Sequence, residues 1–176
     1  MKPCLRVVTA ALLLVSVSLP AVAQQPLVTE AVVNAPVDAV WKAWTTKTGL
    51  EAWLVAKTEI ELKVGGTWRT SYSPESNLND DLAIQSTILA FDPGRMISFR
   101  TTKQPKDFPY AGITSAWTVL YFEPAGAGTT RVVARMFGPF DGEEGQKLRA
   151  FFERGNRYEM DKMVKFFENG IPAVLR

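Results

Sequence analysis

The stretch LKVGGTWRTSY, residues 62–72, places two adjacent glycines between two runs of alternating side chains. Before Gly65 and Gly66 apolar residues alternate with charged ones, and after them Trp68 opens a second alternation. Period-two alternation is typical of β-strands, and glycine tolerates the positive φ angles of tight turns. Neither GxxxxGKS/T nor GxGxxG is present, and a phosphate loop would lead into a helix, not a strand. The stretch therefore predicts a β-hairpin rather than a nucleotide site.

On the N-terminal side, the hairpin follows one strand pattern and two helix patterns. LVTEAVVN at 27–34 reads as a strand, and APVDAVWKAWT at 35–45 carries apolar residues at helical spacing. Pro36 in the first turn, and Asp38 near the positive end of the helix dipole, favour a helix start there. A second short helix is predicted at 48–54.

On the C-terminal side, four further strands precede a long amphipathic helix. The strands are predicted at 82–91, 95–102, 113–123 and 129–138. Turn-forming residues occupy 92–95 and 124–128, between consecutive strands. The helix is predicted to begin near Glu143 and to end at Asn169 and Gly170. An antiparallel sheet with one apolar face needs a cover. The order of elements therefore predicts an α+β fold in which the last helix covers the sheet.

The first 23 residues have the pattern of a secretory signal peptide. Lys2 and Arg6 precede an apolar run at 7–19, and Ala-Val-Ala at 21–23 fits the small-x-small cleavage pattern. The run is shorter than the roughly 20 residues of a membrane span. We therefore expect cleavage, export to the periplasm or the medium, no stable membrane insertion, and one mature domain at 24–176.

Composition excludes several functional classes. Lys2 and Arg6 account for the formal net charge of +2, so the mature chain is neutral and nucleic acid is not an expected partner. The chain has no histidine, and its single cysteine, Cys4, lies in the signal segment. Zinc sites, Ser-His-Asp triads and Cys-His dyads are therefore excluded. We predict no catalytic residue, no cofactor and no metal.

Several runs together resemble a known family. They are VVNAPVDAVWKAWT at 32–45, IELKVGGTWRTSY at 60–72, ILAFDPGRMISFRTT at 88–102, WTVLYFEPAGAGTTRVVAR at 117–135, and the closing helix. The chain resembles the START-like, helix-grip superfamily SRPBCC, in the branch named for homology to the C-terminal domain of the heat-shock chaperone ATPase activator. The resemblance implies a curved seven-stranded antiparallel sheet that grips the last helix, with a cavity between them. Because that superfamily includes lipid carriers, hormone receptors, polyketide cyclases and stress proteins, it does not specify a function.

Eight large side chains are the predicted ligand-binding residues, placed between the sheet and the last helix. They are Trp53, Trp68, Tyr72, Phe99, Phe122, Phe152, Met160 and Met163. An apolar ligand would bind by burial, at about 25 cal/mol per Å² of apolar area, and methionine makes an adaptable wall. The alternative is that these side chains fill the core, the commonest role of large aromatics.

Four charged residues are interpreted as solvent-exposed rather than functional. Arg69 and Arg100 alternate with the inward residues and should face outward. Asp80 and Asp81 could bind a cation, but two adjacent carboxylates lack the ligand spacing of a calcium loop. A solvated loop is the preferred interpretation of that pair.

Glu30 is the one candidate for a buried acid or base. It lies in the first strand on the same face as Val28 and Val32. If that face is inward, the carboxyl would need a partner such as an arginine, or would have a raised pKa.

The strand at 113–123 is apolar on both faces. Trp117, Val119 and Tyr121 lie on one face, and Leu120 and Phe122 lie on the other. A water-facing sheet surface should alternate with polar residues. Either a second subunit covers Trp117 and Tyr121, as a homodimer would, or the assignment of inward residues is wrong.

The preferred hypothesis is an exported START-like domain that binds a small hydrophobic molecule or lipid between sheet and helix. One alternative is a cyclase- or dehydratase-type enzyme on a polyketide-like substrate, in which a carboxylate or tyrosine moves a proton. The other is a protein-interaction or chaperone-assisting module that uses the Trp117 face.

Overall fold

The structure of the protein, a computed structural model, describes residues 25–175, so the predicted signal peptide lies outside the described residues. The elements in chain order are β1 Leu27–Val33, α1 Val37–Thr45, α2 Lys47–Trp53, β2 Lys57–Ile60, β3 Thr67–Ser71, β4 Ile84–Asp92, β5 Met96–Lys103, β6 Trp117–Gly126, β7 Thr129–Phe137 and α3 Gly142–Phe166. Short 3-10 helices add Ala111–Ser115 and Ala173–Leu175. None of these helices is both long enough and apolar enough to span a bilayer.

The seven strands form one antiparallel sheet in the order β1-β7-β6-β5-β4-β3-β2. The meander from β2 to β7 pairs consecutive strands, and β1 joins beside β7. Register shifts in β4 at 85/86 and 88/90 interrupt its pairing with β5. Bulges of this kind bend and twist a strand, so they help curve the sheet into a grip. The predicted helix-grip α+β fold is confirmed.

The helix α3 lies in the concave side of the sheet because one stripe of its surface is apolar. Leu148, Met160 and Met163 are buried on this stripe, and Phe167 continues it at the C-cap. The spacings of three and four residues from Met160 to Phe167 put these side chains on one helix face, and Leu148 is buried nearer the start of the helix. The sheet and α3 therefore share a common interior.

The pair α1 and α2 closes one end of the grip. Trp44 of α1 packs edge-to-face on Trp53 of α2 at 4.9 Å between ring centroids. The Trp44 Nε1–H donates to the sulfur of Met163 in α3 at 3.0 Å. The Thr46 hydroxyl between the two helices accepts from the Gly49 backbone N–H at 3.0 Å and so caps α2. The aromatic residues of α1 and α2 thus anchor these helices to α3.

Gly65 and Gly66 lie in the connection from β2 to β3. Gly65 has a φ of 76°, where glycine is preferred. Gly66 is required for a different reason, since a Cβ there would lie 2.1 Å from the Glu61 carbonyl oxygen. The strand β2 ends at Ile60 rather than continuing to 64 as predicted, and Leu62 is partly exposed in the connection.

A second difference concerns the strand predicted at 113–123. Residues Ala111–Ser115 form a 3-10 helix instead, and β6 starts at Trp117. Ile113 and Ala116 are buried in a small cluster with Phe140 and Leu148. The apolar residues of this segment are therefore buried by packing against α3, and their spacing does not distinguish that from strand burial.

The inward assignment of β6 is correct. Leu120 and Phe122 belong to the main core, whereas Trp117 and Tyr121 are half-buried on the outer face. The Trp117 ring stacks on Phe137 of β7 with 4.2 Å between centroids and 10° between planes. This intrachain stacking partly covers the outer rings, and a homodimer stays a prediction.

Candidate functional site

A cavity of about 490 Å³ lies between α3 and the concave face of the sheet. It is lined by Trp44, Leu54, Val55, Trp68, Thr70, Tyr72, Ile84, Ser86, Phe99, Thr101, Gln104, Pro105, Phe108, Ile113, Thr118, Leu120, Ala134, Met136, Phe151, Phe152, Gly155, Asn156, Tyr158, Glu159 and Met160. The wall combines residues of the main core with residues of the smaller cluster around Phe140 and Leu148. The cavity therefore lies where the two clusters meet without filling the space, and its size is in the range of small-molecule pockets.

Five of the eight predicted ligand-binding residues lie on the cavity wall. They are Trp68, Tyr72, Phe99, Phe152 and Met160. Trp68 and Phe99 meet edge-to-face at 4.9 Å across the sheet, opposite Phe152 and Met160 on α3. Tyr72 is 57% exposed, which places it where the wall opens to solvent. Ligand contact by these residues stays a prediction.

The other three predicted residues lie behind the wall, in the core. The Trp53 Nε1–H donates to the Ala43 carbonyl oxygen at 3.1 Å. Met163 is fully buried. Phe122 is 2% exposed and packs edge-to-face on Trp41. These side chains fill the closed end of the grip, because α1 and α2 occupy the concave face there.

The loop after β5 forms a part of the wall that no sequence pattern predicted. Phe108 of this loop packs edge-to-face on Phe151 of α3 at 5.3 Å between ring centroids. Tyr110 lies at the same distance from Phe151, so loop and helix share an aromatic cluster. Loops have no hydrophobic periodicity, and the only signal was aromatic residues within a proline-containing loop.

Two buried polar atoms of the wall have no hydrogen-bond partner among residues 25–175. They are the indole Nε1 of Trp68 and the amide Oε1 of Gln104. Trp68 lies opposite Ser86 in the β3–β4 register, and Ser86 lies opposite Thr101 in the β4–β5 register. Directly opposed residues share one face of a sheet, and all three line the cavity. We call Trp68, Ser86, Thr101 and Gln104 the polar strip.

A carboxyl and a phenol meet on the open side of the cavity. The Tyr72 hydroxyl donates to Glu159 Oε1 at 2.6 Å. Burial raises the pKa of Glu159, and the Tyr72 hydrogen bond and the charge of Lys162 offset only part of that shift. The pKa of Tyr72 is also raised, mainly because its hydroxyl is removed from water and secondly because the charge of Glu159 lies beside it. This holds even though much of the Tyr72 ring is exposed. Glu159 interrupts the apolar stripe of α3, which is the sequence signal that could have revealed it.

No lysine, arginine or histidine belongs to the cavity wall among the described residues. Glu159 is the only carboxyl in this part of the structure that lines the space. Residues 25–175 contain no cluster of three or more side chains suited to hold a metal ion. The site that the described residues form is therefore apolar, with a hydrogen-bonding strip and one acid.

Glu30, the candidate buried acid, lies on the outer face instead. Its carboxylate accepts a hydrogen bond from Arg131, which also donates to Glu123 at 2.7 Å. Half of the Glu30 side chain is exposed, and Val28 and Val32 of the same face are exposed as well. The inward residues of β1 are Leu27, Thr29 and Val33, so Glu30 has no access to the cavity.

The remaining charged candidates have structural roles on the surface. Arg69 pairs with Glu59 at 3.3 Å, and Arg100 is exposed. Asp80 accepts from the Asn77 N–H, the Leu82 N–H and the Ser76 hydroxyl. The bond from the Asn77 N–H is the main reason that the pKa of Asp80 is lowered. Asp80 thus organises its own loop.

Comparison with known proteins agrees with this architecture. A family model described as Activator of Hsp90 ATPase homolog 1-like protein matches residues 34–168. A search of curated proteins returned no significant match.

Similar solved structures share the fold at low sequence identity. Protein MLL2253 from Mesorhizobium loti is 16% identical, with 82% of this chain and 98% of that chain covered and a TM-score of 0.63. Protein SSP2350 from Staphylococcus saprophyticus is 14% identical, with 85% and 96% covered and a TM-score of 0.62. Norcoclaurine synthase from Thalictrum flavum, solved in complex with dopamine and hydroxybenzaldehyde, is 15% identical, with 92% and 98% covered and a TM-score of 0.57. Likeness at this level establishes the fold.

Proposed function

The chain belongs to the Activator of Hsp90 ATPase homolog 1-like family, within the SRPBCC superfamily, and from that premise we propose that it binds a small hydrophobic molecule between α3 and the sheet. The observation that carries the proposal is the cavity of about 490 Å³ with its largely aromatic and aliphatic wall. Interiors are normally packed to crystal density, so an unfilled space of this size needs an explanation. Binding of an apolar ligand accounts for it, since burial of the ligand surface supplies the driving force.

The arrangement of the wall supports a binding role over a purely structural one. Tyr72 and Tyr158 line the cavity and are also 57% and 65% exposed, so the space communicates with solvent. Trp68 and Met160 lie deeper, at 5% and 2% exposure. A ligand can therefore enter past the tyrosines and bury its apolar part against the core.

The experiment is native mass spectrometry of the full chain's exported product, purified gently, before and after organic extraction. We expect a mass excess that extraction removes, together with saturable binding of the neutral dye N-phenyl-1-naphthylamine to the extracted protein. No mass excess and no dye binding would overturn the proposal. The same spectrum reports whether the protein is a monomer or the predicted homodimer.

A second candidate function is proton transfer, favoured by the Tyr72–Glu159 hydrogen bond of 2.6 Å. A carboxylate with a raised pKa is suited to remove a proton from a carbon next to a carbonyl. Once Glu159 holds that proton, the Tyr72 hydroxyl is free to turn and donate its own hydrogen bond to the oxygen of the enolate. The norcoclaurine synthase structure supplies an enzyme example of this fold.

This candidate is tested by incubating the protein with enolisable ketones in deuterated water and following exchange by NMR. Exchange catalysed by the wild type should be lost in Glu159→Gln and retained in Tyr158→Phe, a change at the exposed tyrosine on the same wall. Exchange at the rate of buffer alone would exclude this role for the ketones tested.

Export completes the proposed function. The signal-like segment 1–23 supports delivery of a cytosol-made chain to the periplasm or medium. Fractionation of cells that express the full chain should recover a product beginning at Gln24 outside the cytoplasm. A cytoplasmic product that retains Met1 would contradict export, without affecting the binding proposal.

A further inference from the structure

We infer that the cavity selects an uncharged ligand with an apolar body and a group, such as a hydroxyl, that both accepts and donates a hydrogen bond at the polar strip. The inference rests on the proposed binding function and specifies its ligand class. The acceptor part of the group pairs with Trp68 Nε1–H, and its donor part pairs with Gln104 Oε1.

The indole of Trp68 differs from the indoles of its buried neighbours. Trp44 donates to the sulfur of Met163, and Trp53 donates to the carbonyl oxygen of Ala43. Trp68 is equally buried, at 5% exposure, yet its Nε1 has no partner among the described residues. The edge-to-face ring of Phe99 offers at most a weak N–H···π contact. A buried donor without a partner is unfavourable, so a ligand oxygen that pairs with it is bound selectively.

The amide of Gln104 supplies the complementary acceptor. Its Oε1 is also buried without a partner among residues 25–175. Gln104 directly follows the end of β5, three positions after Thr101 of the polar strip. The hydroxyls of Ser86 and Thr101 extend the same polar surface across the strands.

The charge of the wall argues for a neutral ligand. None of the wall residues described above is cationic, and Glu159 is the single carboxyl. Lys162 contacts the Leu54 carbonyl oxygen at 3.4 Å and does not belong to the wall. An anionic ligand would lose its hydration shell on entering the cavity, and the wall has no cation to compensate for that loss. It would also lie in the same cavity as the Glu159 carboxyl.

Four probes with one aromatic body test the ligand class by displacement of N-phenyl-1-naphthylamine. They are 2-naphthol, 2-methoxynaphthalene, naphthalene and 2-naphthoate. We expect 2-naphthol to bind about tenfold more tightly than naphthalene, although it is the more water-soluble of the two. The methoxy compound, which only accepts, should fall between them, and 2-naphthoate should bind most weakly.

Two variants remove one partner each. Trp68→Phe keeps the aromatic ring without the donor, and Gln104→Met keeps the side-chain length without the acceptor. Because Trp68→Phe also shortens the apolar wall, it should weaken naphthalene binding slightly. In both variants the loss of 2-naphthol affinity should exceed the loss of naphthalene affinity by about threefold to tenfold. The matched controls are Trp117→Phe on the outer face and Gln85→Met outside the cavity wall, and both should bind like the wild type.

The outcomes separate this inference from the proposed function. Equal binding of 2-naphthol and naphthalene, or equal losses for both probes in the two variants, would overturn the inference while hydrophobic binding stands. Failure of every probe, naphthalene included, would overturn the proposed function itself. If Trp68→Phe does not fold, the comparison of probes on the wild type and on Gln104→Met still decides.

Discussion

Substitutions at Gly155 should separate effects on ligand binding from effects on the stability of the fold. Gly155 lies within α3 and lines the cavity, and a Cβ added there would have no heavy atom within 4 Å apart from its neighbours and the backbone of its own helix. Glycine in a helix interior is about 0.8–1.0 kcal/mol less favourable than alanine. Gly155→Ala therefore removes this penalty without a clash. For a chain of this size, a gain of about 1 kcal/mol corresponds to a Tm increase of roughly 2–4 °C.

A larger side chain at the same position should act on binding instead. The ring of Gly155→Phe would project into the cavity of about 490 Å³ and occupy space that the dye needs. We expect affinity for N-phenyl-1-naphthylamine to fall at least about tenfold, equivalent to about 1.4 kcal/mol. Because the ring is buried against an apolar wall, the Tm should not fall below that of the wild type.

The assay combines thermal unfolding with dye titration on the same samples. Asp161→Phe is the control, since Asp161 is an exposed residue of α3 that does not line the cavity. It introduces the same ring and should leave dye affinity unchanged. Wild-type dye affinity in a folded Gly155→Phe protein would refute the cavity as the binding site. A lower Tm in Gly155→Ala would refute the open space at this position.

Three further predictions concern stability. Gly66→Ala should destabilise the protein by about 2 kcal/mol in denaturant titrations, because its Cβ would overlap the Glu61 carbonyl oxygen. Gly65→Ala should cost only about 1 kcal/mol, because the space around it is open and only its positive φ is unfavourable. Equal losses of stability in the two variants would contradict this reasoning. The contribution of Glu159 to the free energy of unfolding should fall as pH rises from about 4.5 through its raised folded pKa, since the folded state keeps the proton to a higher pH than the unfolded state does. The free energy of unfolding of Glu159→Gln should therefore rise relative to that of the wild type across this pH window and stay at a constant offset below it. A difference between the two proteins that is constant over the whole pH range would argue against a raised pKa of Glu159. Trp44→Phe removes the indole N–H that donates to the Met163 sulfur, and the free energy of unfolding should fall by about 1 kcal/mol. The denaturation midpoint measures this loss, and an unchanged midpoint would show that the hydrogen bond contributes nothing to stability.

Local patterns predicted the order of the elements and the helix that covers the sheet, and the family resemblance implied the curved seven-stranded grip. Alternation around Gly65 and Gly66 predicted the hairpin, and the apolar stripe from Leu148 to Phe167 predicted the long helix that covers the sheet. These signals are readable because burial on one face imposes a period of two on strands and 3.6 on helices. Periodicity left the inward face of β6 open, because both of its faces are apolar, and the structure places Leu120 and Phe122 in the core.

The site itself depended on contacts between distant parts of the chain. Periodicity identifies a buried residue but cannot say whether it meets a neighbour or a space, so Met160 lines the cavity and Met163, on the same stripe, fills the core. Tyr72 and Glu159 are 87 positions apart, and only the closure of α3 over β3 brings their oxygens to 2.6 Å. The sequence by itself determined the order of the main helices and strands and, where only one face is apolar, which face is buried, because both depend on local spacing. Only the tertiary structure decided where packing stops short and leaves a cavity, because that depends on how the sheet curves and how the helices settle against it.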